Sequence, residues 1–223
     1  MTSDEVDALL AEQVAYYRAR AGEYDATSPL PYDDVSWRVL VDALEAFGPQ
    51  GQVLELACGT GQWTAVLVKH ASELTAVDAS PEMLAVAAAR VQDDHVRFVE
   101  GDIFAWQPTQ VYDVVFFSAW LSHVPPQRFD DFWWLVADSL GEDGRVFLID
   151  ELPAAAAEEE VVPDAVAPAV ERSLSNGTRY RTVKVFYQPD QLRNRLADLG
   201  WEFSVHPVGW RFFYAVGQRA RTT

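Results

Sequence analysis

The residues that could carry chemistry recur at one kind of position, the end of a short apolar run. Val53-Leu54-Glu55-Leu56-Ala57 reads as a buried strand, and Cys58-Gly59-Thr60-Gly61 follows it as a glycine turn. Lacking a Cβ, Gly59 and Gly61 allow bare main chain to come close to a ligand. Glu55 is an acid inside that apolar strand, which costs solvation unless a hydrogen-bonding or cationic partner meets it. Asp78 ends the second strand, where a carboxylate can accept from two neighbouring hydroxyls. Gly101-Asp102-Ile103 follows the third strand and sets a carboxylate beside an apolar side chain, suited to an amino group and the face of a flat ring. Ser118-Ala119 ends the fourth. Polar or small residues at four strand ends make one convergent rim, and the carboxyl edge is where open α/β sheets bind ligands. Just past it lies His123, the candidate general base, whose ordinary pKa of about 6.5 suits proton removal near neutrality. Asp150 and Glu151, ending the fifth strand, are second candidates, unless they serve in helix capping or a bond to a loop.

Alternating short β-branched runs and longer helical ones must position these residues, the signature of βαβ units on a parallel sheet. Strands are expected over Val53–Ala57, Glu73–Asp78, Val96–Glu100, Tyr112–Phe117 and Gly144–Asp150. Helices are expected over Gln62–Ala71, from the Ser80 cap to Arg90, and over Gln127–Leu140. Ser80-Pro81-Glu82 is a strong helix start: a hydroxyl cap, a proline at the first helical position and an acid in the first turn. Residues 2–48 read as helices over Ser3–Arg20 and Val35–Phe47, with a proline-bearing loop over Thr27–Tyr32. After the fifth strand, a short helix over Ala154–Glu160 precedes a hairpin at Asn176-Gly177. A helix over Gln188–Leu199 and an antiparallel pair, Trp201–Val205 and Phe212–Val216, close the chain.

The 223 residues fit one substantial domain that needs no staples. Seventeen Lys and Arg against 34 Asp and Glu give a formal charge of −17, which argues against a nucleic-acid or anionic-membrane partner. The single cysteine, Cys58, excludes an internal disulfide and a cysteine-rich zinc site, and without an acidic ligand cluster in the sequence no metal is expected. No apolar stretch has the length of a membrane helix, and the start of the chain lacks a signal-peptide layout, so a reducing cytoplasm is the expected compartment.

The chain resembles the class I S-adenosylmethionine-dependent methyltransferases of the small-molecule type. The resemblance rests on Glu55-Leu56-Ala57-Cys58-Gly59-Thr60-Gly61, on Val77-Asp78-Ala79-Ser80-Pro81-Glu82-Met83-Leu84 and on Glu100-Gly101-Asp102-Ile103. Tyr112-Asp113-Val114-Val115 and Leu140-Gly141-Glu142-Asp143-Gly144-Arg145 continue it, so that residues 50–151 are covered closely and the remainder loosely. It implies a three-layer α/β sandwich with a doubly wound, mostly parallel seven-stranded sheet, an antiparallel closing strand and an N-terminal helical lid. One domain, 1–223, would comprise a lid (1–48), a cofactor core (49–151), a substrate-side insertion (152–187) and a closing unit (188–223).

S-adenosylmethionine is then the implied cofactor. Ala57, Gly59 and Gly61 would lie at its methionine portion and ribose, Asp78 at the ribose, Met83, Asp102 and Ile103 at the adenine, and Ser118 near the sulfonium and amino group, with Glu55 and Ala79 as further cofactor-binding residues. Ala57 departs from the family's usual glycine, so its Cβ must point away from the cofactor. In many relatives a histidine at the place of His123 is structural, bonding a loop carbonyl. Tyr16-Tyr17-Arg18-Ala19-Arg20 through Tyr24-Asp25 resembles a lid in which Tyr17 and Tyr24 close over the cofactor and an arginine meets its carboxylate; the same residues could instead form a helix packed on the sheet with solvated arginines.

Trp120, Trp133, Trp134, Phe186, Tyr187 and Trp210 could wall an acceptor pocket or pack in the core, with at most one of the adjacent Trp133 and Trp134 facing the site. Arg172, Arg179, Arg181 and Lys184 could receive an acidic acceptor or stand as an exposed charged hairpin. The expected partner is a small-molecule acceptor methylated on O or N, and a homodimer is compatible with the resemblance. The competing reading is a non-catalytic cofactor-binding or partner module on the same fold. A nicotinamide dehydrogenase fits poorly, because its Gly-x-Gly-x-x-Gly fingerprint and a Tyr-x-x-x-Lys pair are absent. Base methyltransferases carry an Asn/Asp-Pro-Pro-aromatic motif where this chain has Ser118-Ala119-Trp120.

Overall fold

The computed structural model describes residues 3–27 and 35–221. In chain order the elements are α1 (Ser3–Arg20), α2 (Tyr24–Thr27), α3 (Val35–Phe47), β1 (Gln52–Leu56), α4 (Thr64–Leu67), β2 (Glu73–Asp78), α5 (Pro81–Arg90), β3 (Val96–Glu100) and β4 (Tyr112–Ser118). Then come α6 (Phe129–Ser139), β5 (Leu140–Glu151), β6 (Glu160–Val161), β7 (Ala169–Ser173), β8 (Arg179–Val183), α7 (Pro189–Asp198), β9 (Trp201–Val208) and β10 (Phe212–Arg219).

Seven strands form one sheet in the order β3-β2-β1-β4-β5-β10-β9. All neighbours among the first five are parallel, and β10 runs antiparallel to both β5 and β9. Strand order reverses between β1 and β4, so their carboxyl ends open the crevice where such sheets bind ligands. Both faces are covered, which is why β4 is apolar almost throughout. Val115 and Phe117 pack with Phe132, Trp133 and Val136 of α6 and Leu192 and Leu196 of α7. Val114 and Phe116 pack with Trp37, Leu40 and Leu44 of α3 and with Trp63, Val66 and Leu67 around α4. α5 starts as its sequence demands, with Ser80 Oγ accepting the Met83 N–H at 3.1 Å and Pro81 opening the helix.

Several boundaries differ from expectation. The helix expected over 62–71 is only α4, because Gly61 holds a left-handed conformation (φ 77°) and the chain turns before Thr64. β5 begins at Leu140 instead of Gly144, since Leu140 pairs with Tyr112 across an irregularity in the register. The short helix expected over 154–160 is a 3₁₀ segment, Pro153–Glu158. The Asn176-Gly177 turn joins β7 to β8, and β6 completes a small antiparallel sheet beside the main one. The segment 1–48 divides: α1 and α2 lie at the carboxyl edge, whereas α3 is part of the layer packed on the main sheet. The loop expected over Thr27–Tyr32 falls outside the described residues from position 28 onward, and Thr27 ends α2. Among the described residues no helix is long and apolar enough to cross a membrane.

α1 buries a stripe at Val6, Leu9, Gln13 and Tyr16, the spacing of one helix face. It packs on the small sheet, where Leu9 meets Ala167, Ala169 and Val183. Polar side chains of α1 also serve β8: Glu12 accepts the Arg181 N–H at 2.6 Å, and Gln13 Oε1 accepts the Val183 N–H at 3.0 Å. Outer backbone donors of the small sheet are thus satisfied by a helix instead of another strand.

At Gly61 a Cβ would lie 2.9 Å from Ala87 Cβ and 3.0 Å from its Cα, in a backbone conformation that L-residues disfavour. Gly61→Ala is therefore expected to lower unfolding free energy by about 2–4 kcal/mol, read by urea denaturation. An unchanged midpoint would show that α5 does not pack against the turn this closely.

Candidate functional site

Ala57, Gly59 and Gly61 all hold positive φ (55°, 55° and 77°), so β1 leaves the sheet through a chain of left-handed residues. A Cβ at Gly59 would meet nothing within 4 Å, so its bare face looks into open space. The turn is tied to β2 by one side chain: Asp78 Oδ2 accepts the Gly59 N–H at 2.8 Å, while Oδ1 accepts the Ser80 N–H at 2.9 Å. Burial pushes the Asp78 carboxyl above its ordinary pKa, and these backbone donors oppose the shift. From above, α2 contributes Asp25, which accepts from Thr60 Oγ1 at 2.6 Å and Gln62 Nε2 at 2.8 Å and pairs with Arg90. Asp25 belongs to the lid-like stretch of sequence, but only the folded chain reveals that it docks the lid onto the glycine turn.

Two adjoining cavities, of about 860 and 440 Å³, open at this edge and share Tyr17, Tyr24, Ala57, Gly59, Ser118, Ala119 and His123. The larger lobe also takes in Asp78, Ala79, Met83, Asp102 and Ile103, with Trp120 on its wall. The smaller one holds Arg20, Asp150, Glu151, Arg172, Lys184 and Arg211. Nearly every residue expected at the cofactor thus reaches the larger lobe or the junction. Two do not. Glu55 lines the smaller lobe, and Gly61 lines neither, its place being the close approach to Ala87.

Glu55 finds its partner locally: Thr64 Oγ1 donates to Oε2 at 2.6 Å. Burial pushes its carboxyl up to about 8, against the Thr64 bond and with Asp78 adding to the shift. Asp150 is held by backbone N–H groups of Ser122 and Glu151, each at 2.8 Å, and burial raises its pKa against the pull of Lys184. Burial alone would raise Glu151 too, but Lys184 and Arg211 more than offset it and leave its carboxyl below the ordinary value.

His123 is committed on both sides. Nδ1 lies 2.6 Å from the Val183 carbonyl, which can only accept, so the proton is on Nδ1. Nε2 is then bare and accepts the Tyr17 hydroxyl at 2.8 Å. Burial, followed by the charges of Lys184, Arg172 and Arg20, holds the imidazole well below its ordinary pKa. Neither nitrogen remains for an acceptor; the ring instead joins the loop after β4 to the end of β8 and to α1. Burial also raises the Tyr17 phenol, with Arg172 opposing, so the pair is neutral near pH 7.

The candidate aromatics and cations divide between site, core and surface. Trp133 and Tyr187 are buried in the core, and Trp134 and Trp210 are exposed. Phe186 carries the Lys184 ammonium 5.2 Å from its ring. Of the six candidate aromatics only Trp120 lines the cavity, whereas Phe212, which no pattern marked, does so on the other side. Of the four cations around the hairpin, Arg179 and Arg181 are exposed, while Arg172 and Lys184 enter the smaller lobe. Arg18 reaches outward to Glu82 through a forked pair and leaves Arg20 as the lid arginine facing the cavity.

The site fits the implied cofactor on its own geometry: bare main chain at Gly59, a carboxylate at Asp78 and apolar walls at Met83 and Ile103 in one lobe. A family model described as a methyltransferase domain matches residues 53–144. The trans-aconitate 2-methyltransferase of Escherichia coli O1:K1 / APEC is 41% identical over 75 residues, 33% of this chain and 29% of that enzyme. The match therefore spans under a third of the curated relative. Two solved structures align over almost the whole chain. The DhpI–SAH complex is 40% identical over 99% of this chain and all of that one, with a TM-score of 0.86. The DhpI–SAM–HEP complex is 41% identical over 98% and 100%, with a TM-score of 0.85.

Asp78→Ala is expected to weaken S-adenosylhomocysteine binding by at least about tenfold in isothermal titration, because it removes a buried acceptor and releases the Gly59 N–H. Unchanged affinity would contradict that role. Glu55 makes a separate prediction with a defined sign. Its folded-state pKa of about 8 exceeds the ordinary value of 4.5, so its contribution to stability is lost as pH rises between them. Glu55→Gln should match the parent in urea denaturation near the lower limit and exceed it by on the order of 5 kcal/mol above the upper one. A pH-independent difference would contradict the shift.

Proposed function

The chain belongs to the class I S-adenosylmethionine-dependent methyltransferases, and we propose that it methylates an ionised oxygen of a small acidic molecule. The observation that carries this reading is the convergence of Arg20 of α1, Arg172 of β7 and Lys184, just past β8, around His123 where the two lobes meet.

Bound S-adenosylmethionine supplies an electrophilic methyl group on a positively charged sulfur. What this chain supplies is position and dryness. In this reading Asp78 takes the ribose hydroxyls, Met83 and Ile103 the adenine faces, and the main chain at Ala57 and Gly59 the methionine portion. Arg20 is placed for the cofactor's carboxylate; its own hydrogen bonds now go to the carbonyl and hydroxyl of Thr27. Tyr17 and Tyr24 face both lobes and close the junction against water. Alignment of two reactants in such a place is worth up to about 7–11 kcal/mol of barrier in ideal cases.

A base is needed only where the acceptor must lose a proton. Among the described residues, both nitrogens of His123 are occupied and Lys184 is paired with Glu151 at 2.6 Å, while Asp150, the other candidate base, accepts a backbone N–H on each oxygen. An acid that enters already ionised needs none, and it is the kind of molecule that cationic walls attract. The Escherichia coli relative is named for trans-aconitate, itself an acid, although the match covers only 29% of that enzyme.

The test is methyl transfer from labelled S-adenosylmethionine to a panel of carboxylic and phosphonic acids, amines and neutral alcohols. The reading predicts base-labile methyl esters, with a rate independent of pH once the acid is ionised. Exclusive transfer to amines would overturn it. Arg172→Gln should raise KM for the acid about tenfold or more and leave cofactor affinity within a factor of two; an unchanged KM would remove Arg172 from the acceptor site.

A further inference from the structure

Three cations of the smaller lobe, Lys184, Arg172 and Arg211, have carboxylate counter-ions, yet the counter-ions are not equivalent. Lys184 is 1% exposed in its side chain and donates to Glu151 Oε2 at 2.6 Å and to Ser122 Oγ at 3.1 Å. Arg172 pairs with Glu159, both largely buried, and also donates to the Tyr17 hydroxyl at 3.4 Å. Arg211 holds Glu151 Oε1 through Nε at 2.7 Å, and its Nη1 donates to Glu158. Glu158 is 51% exposed, far more than Glu151 or Glu159. Water can take up its carboxylate when the pair separates, whereas breaking the other pairs would strand a buried charge.

Charge accounting points to the same group. Lys184, Arg211, Glu151 and Glu158 form a neutral quartet at the wall of the lobe. If Glu158 swings out, Arg211 keeps Glu151 as its one counter-ion and turns its Nη1 donor to the cavity beside Phe212. The Nη1 donor that Glu158 now takes suits an oxyanion of a planar or tetrahedral acid equally well, while Nε and Nη2 stay on Glu151. Arg211 lines the same lobe as Tyr17 and His123, but its bonds go to Glu151 and Glu158, not to that pair.

We propose that Arg211 anchors a second anionic group of the acceptor, and that Glu158 occupies that group's place until the acceptor enters. The acceptor is then a small acid with one charged oxygen at the Arg172–Tyr17 end and another anionic group at Arg211. The inference rests on the acidic-acceptor reading above and narrows it to molecules with two acidic groups. Glu158 sets the selectivity: a monoacid leaves it in place, and only a second anion repays its displacement.

The experiment titrates the S-adenosylhomocysteine-loaded enzyme with dicarboxylic acids of increasing length, phosphonocarboxylic acids and the monoamide of each. The parent, Glu158→Gln, Arg211→Gln and Arg211→Lys are compared by calorimetry, and the parent's methyl transfer to the same acids is assayed alongside. Glu158→Gln should bind diacids three- to tenfold more tightly than the parent and monoamides equally, a gain that misfolding cannot produce. Arg211→Gln should lower diacid affinity at least tenfold, to the level of the monoamide, with Arg211→Lys between, while S-adenosylhomocysteine affinity stays constant in all four proteins. An identical diacid-to-monoamide ratio in parent and variants, with acids still bound and methylated, would overturn the anchor alone. Failure of every acid to bind or be methylated would overturn the acidic-acceptor reading itself.

Discussion

One carboxylate organises the edge on which everything else depends. Asp78 is buried at the end of β2, and its two oxygens take backbone N–H groups from opposite directions: Gly59 in the turn after β1 and Ser80 at the start of α5. A buried carboxylate is tolerated only where such donors replace water. In satisfying it, the chain fixes the distance between two adjacent strand ends and the entry angle of a helix. The left-handed backbone at Ala57, Gly59 and Gly61 follows from the same constraint, because β1 must bend sharply to present an N–H to Asp78 while Gly59 leaves its bare face open.

The second half of the site is assembled by a helix that is not part of the sheet at all. α1 contributes Glu12 and Gln13 to the backbone of β8, and Tyr17 to His123. His123 in turn donates to the Val183 carbonyl, and Gln13 reaches the His123 carbonyl at 3.3 Å. These bonds close a ring among α1, β8 and the loop after β4, with the junction of the two lobes inside it. A histidine in this place serves geometry. By fixing its own tautomer it takes the Tyr17 hydroxyl hydrogen on Nε2 and leaves the oxygen lone pairs to Arg172, whose Nη1 lies 3.4 Å away.

How much of this is legible in the sequence follows the range of the interactions. The parallel core is legible because its signals are local: an apolar run ending in Gly59-Thr60-Gly61, or Ser80-Pro81-Glu82 opening a helix. Ser3–Arg20 and Val35–Phe47 are legible to the residue for the same reason. The helix after Gly61 is shorter than its composition suggests, because the chain turns before Thr64 and tightens after Leu67, where the Lys69 and His70 N–H groups bond back to Val66 and Leu67. The ambiguities concern partners distant in sequence. Nothing around His123 announces Tyr17 or Val183, and nothing around Arg172 and Lys184 distinguishes them from the exposed Arg179 and Arg181 except the alternation of a strand pair whose inner face the sequence does not reveal. Asp25 and Phe212 escape notice likewise, since neither carries a motif that marks its contact.

The most direct test of the whole account is a crystal structure of the protein with S-adenosylhomocysteine. The account predicts adenosine in the larger lobe, its ribose hydroxyls on Asp78 and its ring between Met83 and Ile103, with the sulfur at the Tyr17–Gly59–Ser118 junction and its open side toward Arg172 and Lys184. Density for the nucleoside elsewhere, or a sulfur directed away from the smaller lobe, would contradict it.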